Sequence, residues 1–107
     1  MDISLTRADT IYSKDGELLG FPQFLAHRLQ DDANIEAELG YYPTYVRIVS
    51  RSLGTNFHVP TEFFISRDND EKKTTLSVTK HQVLTYWMRL PKFVARGNFR
   101  REDLPEL

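Results

Sequence analysis

The sequence predicts an α+β fold, an antiparallel sheet built from hairpins with two or three short helices packed mostly on one face. Three observations carry this. Thr61 to Arg67 and Lys73 to Val78 are strand-like runs rich in aromatic and β-branched residues, separated by the polar stretch Asp68 to Lys72. Directly after them, Thr79-Lys80-His81-Gln82 has the form of a capping box, with an apolar helical stripe following. Upstream, Asp15-Gly16 sits between two further strand-like runs and suits a two-residue type I′ turn.

Taken in order, Asp2 to Thr6 alternates, with Ile3 and Leu5 on one side, and predicts a short first strand. Thr10 to Gly20 forms a hairpin about Asp15-Gly16, in which Lys14 faces Glu17 and Tyr12 faces Leu19. Pro22 suits the first turn of a helix, and Phe21, Leu25 and Leu29 recur at four-residue intervals, so the segment PQFLAHRLQ is expected to be helical. A bend at Asp31-Asp32 keeps charge out of the apolar stripe. A second short helix (ANIEAEL) follows, capped by an aspartate and ended by Gly40.

Thr44 to Leu53 alternates with Val46 and Ile48 on one side and Tyr45, Arg47, Val49 and Arg51 on the other, the pattern of a central strand. Gly54-Thr55-Asn56 turns the chain into a short return, Phe57 to Val59, and Pro60 marks an edge or a kink. The helix after Thr79 carries Val83, Leu84, Trp87, Met88 and Leu90 on its core side and stops before Pro91. Beyond it Phe93, Val94 and Phe99 pack locally, Gly97-Asn98 turns, and residues 102–107 read as a mobile tail.

The 107 residues fit a single domain, 1–107, able to bury roughly two thirds of its unfolded surface. The absence of cysteine removes disulfides, thiolate zinc sites and thiol catalysis. No run is long and apolar enough for a membrane span, and MDISLTRADT lacks the features of a signal peptide, so the expected location is the cytoplasm, with no membrane partner.

Charge is unevenly placed. Met1 to Glu71 carries 6 basic and 12 acidic residues, whereas Lys72 to Arg101 carries 8 basic residues and no acidic one. Such asymmetry points to an acidic partner for the basic part, with neutralisation inside the fold as the plainer alternative. The cations are interleaved with Tyr86, Trp87, Phe93 and Phe99, the composition of a surface that neutralises phosphates and stacks on bases. The sequence therefore predicts a small non-catalytic binding module that contacts nucleic acid through Arg89, Lys92, Arg96, Arg100 and Arg101. The alternative is a protein-binding regulator or inhibitor, with a homodimer as one form of it, that uses the acidic helical region or a sheet edge.

Other chemistry has less support. His27, His58 and His81 lie far apart and in no metal-ligand spacing, so neither metal nor cofactor is expected. Asp70-Glu71-Lys72-Lys73 has the residue types of a metal-dependent nuclease centre but falls in a hairpin loop, where a solvated turn is the plainer reading. A helix-turn-helix reader is disfavoured because its recognition helix would carry Glu36 and Glu38 and no cation. There is no nucleophile elbow, Gly-rich phosphate loop or dinucleotide fingerprint.

Overall fold

The computed structural model describes residues 4–29 and 42–107. Seven strands make one mixed sheet: β1 (Thr10–Tyr12), β2 (Leu18–Arg28), β3 (Thr44–Ser50), β4 (Thr55–Pro60), β5 (Phe64–Asp68), β6 (Lys73–Leu76) and β7 (Phe99–Asp103). The order is β4-β3-β2-β1-β6-β5, with β7 pairing β2. Every pair is antiparallel except β1 with β6, which run parallel. Sheet dominates. Among the described residues helix is confined to α1 (Lys80–Gln82), which continues as a π-helical turn Val83–Trp87, to α2 (Lys92–Ala95), and to a 3-10 turn at Thr61–Phe63.

The long strand β2 organises the sheet and corrects the helix expected at PQFLAHRLQ. One edge of β2 pairs with β3 from Phe21 to His27. Its other edge serves two strands in turn, β1 near its start at Leu18 and Gly20, and β7 from Phe24 to Arg28. A bulge between Pro22 and Phe24 breaks the two-residue alternation, and beyond it both faces of β2 are covered, so that consecutive Phe24 and Leu25 are both buried, on opposite faces, and imitate a helical stripe in the sequence. Pro22 lies in the gap between the β1-paired and β7-paired stretches, where its missing N–H removes no ladder bond on that edge. The second expected helix (ANIEAEL), its aspartate cap and Gly40 lie outside the described residues.

Two clusters hold the sheet. The larger takes Ile11, Leu19, Ile48, Phe57, Leu76 and Val83 from five strands and the helix, all essentially inaccessible to solvent. The smaller, on the opposite face of β2 and β3, joins Phe24, Ala26, Tyr45 and Phe93. The alternation read in Thr44 to Leu53 is present, with Val46 and Ile48 in the larger cluster and β3 central between β2 and β4. The side that carries Tyr45 and Arg47 is covered as well.

The first hairpin exists but its turn differs from the expected type I′. Tyr12 opposes Leu18 and Ile11 opposes Gly20, with Ser13 N–H bonded to Glu17 O at 2.9 Å. The loop therefore has three residues, Lys14-Asp15-Gly16, and of these only Gly16 takes positive φ, at 82°. Asp15 is recruited elsewhere. Its carboxylate accepts from the Ser13 hydroxyl and, at 3.1 Å, from the Lys80 N–H at the start of α1. The Ser13 bond and then the Lys80 bond hold the Asp15 carboxyl below its ordinary pKa. Residues 4–6 of the expected first strand are not in the sheet, although Leu5 is buried in the larger cluster.

The second hairpin and its helix cap match the local sequence signals. β5 pairs β6, and Asp68 closes the turn by accepting from the N–H groups of Asp70 and Glu71 at 3.0 and 3.2 Å. Both halves of the capping box form, Gln82 N–H to Thr79 Oγ1 at 3.1 Å and Thr79 N–H to Gln82 Oε1 at 2.8 Å. Thr79→Ala is expected to cost about 1 kcal/mol, a fall in melting temperature of roughly 4 to 8 °C for a domain of this size. An unchanged thermal melt would contradict the cap.

The helix ends earlier than Leu90. Val83 is buried, and Trp87 and Met88 pack against the core, but Leu84 and Leu90 are each 47% exposed. The π turn explains Leu84. Hydrogen bonding from i to i+5 spreads the turn over more residues than α winding, which moves Trp87 to the far side of Val83 from Leu84. The tail expected from residue 102 is also tied in. Glu102 and Asp103 belong to β7, Leu104 is buried, and Pro105 O accepts from Arg7 N–H at 2.8 Å.

Candidate functional site

The five predicted basic residues fall in two settings. Arg89 lies in the bend after the π turn, Lys92 opens α2, and Arg96 caps its end, and all three are exposed. Pro91 starts α2 without needing an N–H, and Gly97, at φ 71°, ends it by bonding back to Val94 O at 3.0 Å. Phe93 anchors this turn, fully buried, with the Arg28 guanidinium 4.2 Å from its ring centre and Tyr45 at 5.5 Å. The anchor leaves Lys92 and Arg96 on the outer side of α2.

Arg100 and Arg101 are ladder residues of β7, opposite His27 and Ala26 respectively. As neighbours in a strand they project from opposite faces, so they do not act as one patch. Arg101 donates to Asp103 at 2.7 Å and stacks 4.2 Å from the Phe24 ring centre, while Arg100 has Glu102 at 4.0 Å. The acids that end the basic stretch in sequence thus sit beside its last two arginines.

Most of the interleaved aromatics are engaged. Phe93 is in the smaller cluster, Phe99 stacks on Phe24 at 6.4 Å, and Trp87 meets Phe63, Tyr42 and Tyr45 at 5.2, 5.9 and 6.5 Å. Trp87 therefore has the core role its stripe implies. Tyr86 is different, 55% exposed, and Leu84 and Leu90 are exposed as well.

The histidines part company. His81 is exposed at the start of α1. His27 is partly buried and bridges three strands through Thr44 Oγ1 at 2.9 Å and Glu102 Oε1 at 2.8 Å. His58 is buried on β4, and burial, followed by the charge of Arg47, pushes its pKa down to about 4. Asp70 and Glu71 sit exposed in the β5–β6 turn, and among the described residues no three His, Asp or Glu side chains are grouped to hold a metal.

One polar group gives no signal in the sequence at all. Asp9, with no exposure, receives a bidentate pair from Arg67 at 2.6 and 2.8 Å and hydroxyl bonds from Thr6 at 2.8 Å and Thr74 at 3.0 Å. All four lone-pair directions of the carboxylate are used, so the pair is a structural tie between the N-terminal loop and the β5–β6 hairpin.

Comparison with family models, with characterised proteins and with solved structures finds no match. No helix among the described residues is long and apolar enough to cross a membrane.

Proposed function

We propose that the protein is a non-catalytic binding module that engages an acidic partner through the segment from Lys80 to Arg101. The observation that carries this reading is the run of 8 cations without a carboxylate from Lys72 to Arg101, within which Arg89, Lys92 and Arg96 are exposed on the helix exit and α2. A surface of one sign raises the local concentration of an oppositely charged partner and steers its approach. Nucleic acid is the concrete partner. It is held by phosphate contacts from Arg89, Lys92 and Arg96, with Arg100 and Arg101 in outlying positions on β7 and Tyr86 as the exposed ring for stacking.

A second reading is an acidic protein surface. It is favoured by the exposure of Leu84 and Leu90, at 47% each, since leucine side chains gain from burial against protein and little from a phosphate backbone. A gel shift at low salt with single-stranded and duplex probes separates the two. With the nucleic-acid partner, changing Arg89, Lys92 and Arg96 together to alanine is expected to weaken binding for all sequences alike and to reduce the salt slope by about one unit for each phosphate-binding side chain removed. The Arg89 substitution by itself should move stability by about half a kcal/mol or less. An unshifted probe at low salt leaves the protein reading.

A further inference from the structure

Along Phe99–Asp103, β7 pairs with β2, and no described strand pairs with the other side of β7. The two other outer strands of the sheet are blunted. β4 is buried from Phe57 to Pro60, and β5 is interrupted by a bulge at Ile65. By contrast, β7 follows β2 without a break in register, and its four charged side chains stand in solvent, Arg100 at 63%, Arg101 at 56%, Glu102 at 51% and Asp103 at 71% exposure. A regular edge strand in solvent presents a row of backbone N–H and C=O groups on which a further strand can form.

The charges on β7 select which strand that is. Arg100-Arg101-Glu102-Asp103 places two cations before two carboxylates, an order that is its own complement when reversed. In an antiparallel pair of identical strands, opposed side chains lie on the same face, so the two-fold axis passes through one residue and its own copy. With the axis at Arg101, the middle of the strand, all five residues pair, and Arg100 of each copy faces Glu102 of the other. On the opposite face Arg101 lies diagonal to the second copy's Asp103. The like-charge contact at the axis is relieved within each chain. The Arg101 guanidinium is drawn back over the Phe24 ring on β2, 4.2 Å from its centre, and bonds its own Asp103 at 2.7 Å. An axis at Glu102 would instead oppose two carboxylates and set Arg100 against Leu104, which is buried in its own chain. We infer that the protein forms a two-fold dimer by antiparallel pairing of β7 with β7 of a second copy, in the register centred on Arg101. Five residues a side make a small contact beside the roughly 1,200 Å² at which stable interfaces begin, so the dimer is weak and concentration-dependent. It uses none of Arg89, Lys92 and Arg96, and so stands or falls separately from the acidic-partner reading.

The test is sedimentation equilibrium of the full chain over a wide range of concentration, with backbone hydrogen exchange to locate the contact. A monomer–dimer equilibrium is expected, and amides between Phe99 and Asp103 should exchange more slowly as concentration rises. Arg100→Glu sets carboxylate against carboxylate at both symmetric positions, and Glu102→Arg sets cation against cation. Each variant alone is expected to lose roughly tenfold or more in dimer affinity. An equimolar mixture of the two restores an opposite-charge pair at both positions and is expected to form a mixed dimer of about the parent's affinity. Thermal melts show whether each variant is folded. Should Glu102→Arg, which gives up the His27 contact, fail to fold, Arg100→Glu and the exchange measurement still decide. A chain that stays monomeric throughout, slowed exchange that leaves β7 unaffected, an Arg100→Glu variant that dimerises as the parent does, or a folded mixture that associates no better than its components would overturn the dimer.

Discussion

Asp9→Ala is expected to lower stability by about 3 to 5 kcal/mol, the range for removing one partner of a buried ion pair. The loss is large because the guanidinium of Arg67, with only 10% of its side chain exposed, keeps its charge after the carboxylate is gone. Thr6 and Thr74 lose their acceptor at the same time. Replacing both members, Asp9→Leu with Arg67→Met, should recover much of the loss, since an apolar pair of similar size is often neutral relative to the ion pair. Urea unfolding of the three chains checks this. A single variant within about 1 kcal/mol of the parent would show that the pair does not anchor the loop.

The same carboxylate sets an acid limit. Burial alone raises its pKa, but the hydrogen bonds from Arg67, Thr6 and Thr74, with the Arg67 charge, outweigh it and bring the folded value below the ordinary one. A lowered folded pKa means that this contribution is complete above the unfolded value, about pH 4, and is lost as pH falls through the lower folded value. His58 acts in the same direction. Its folded pKa of about 4 lies below the unfolded value of about 6.5, so below that unfolded value the unfolded chain binds the extra proton and stability falls as the solution is acidified. In Asp9→Asn the component below about pH 4 should disappear while the His58 component remains.

Gly20→Ala is the second large effect. A Cβ at residue 20 would stand 2.1 Å from the carbonyl oxygen of Val49 and 2.9 Å from its carbon, both backbone atoms of the central strand β3. Neither can move without breaking the β2–β3 ladder. The expected cost is about 3 kcal/mol, the upper end for overpacking a well-filled interior, with failure to fold as the extreme. Gly16→Ala meets no neighbouring atom and suffers only the strain of its positive φ, so it separates close approach from turn geometry. Equal thermal stability of Gly20→Ala and the parent would contradict the described register of β2 on β3.

What the sequence makes legible is what local chemistry decides. The Thr79 cap, the β5–β6 hairpin and the alternation of Val46 and Ile48 each rest on residues within a few positions of one another. β2 misleads because a bulge at Gln23 and a proline in the unpaired gap replace its two-residue period with spacing that imitates a helix. The same limit applies to sites. Asp9 meets Arg67 across 58 residues and Thr74 across 65, and no pattern in a single sequence announces such a pairing. The alternation of β3 places Arg47 on the side away from Val46 and Ile48, but that this side is itself covered only the packing of Phe24, Tyr45 and Phe93 reveals. Of the basic residues, sequence identifies the run and its sign. The ladder of β7 decides that Arg100 and Arg101 project apart.

The salt dependence of nucleic-acid binding by the unaltered chain is the most direct measure of the central claim. Three phosphate contacts, from Arg89, Lys92 and Arg96, predict a slope of log K against log salt of about −2 to −3, at about −0.7 per contact on single strands and −0.9 on duplex. A slope near zero, or no binding at low salt, would contradict it.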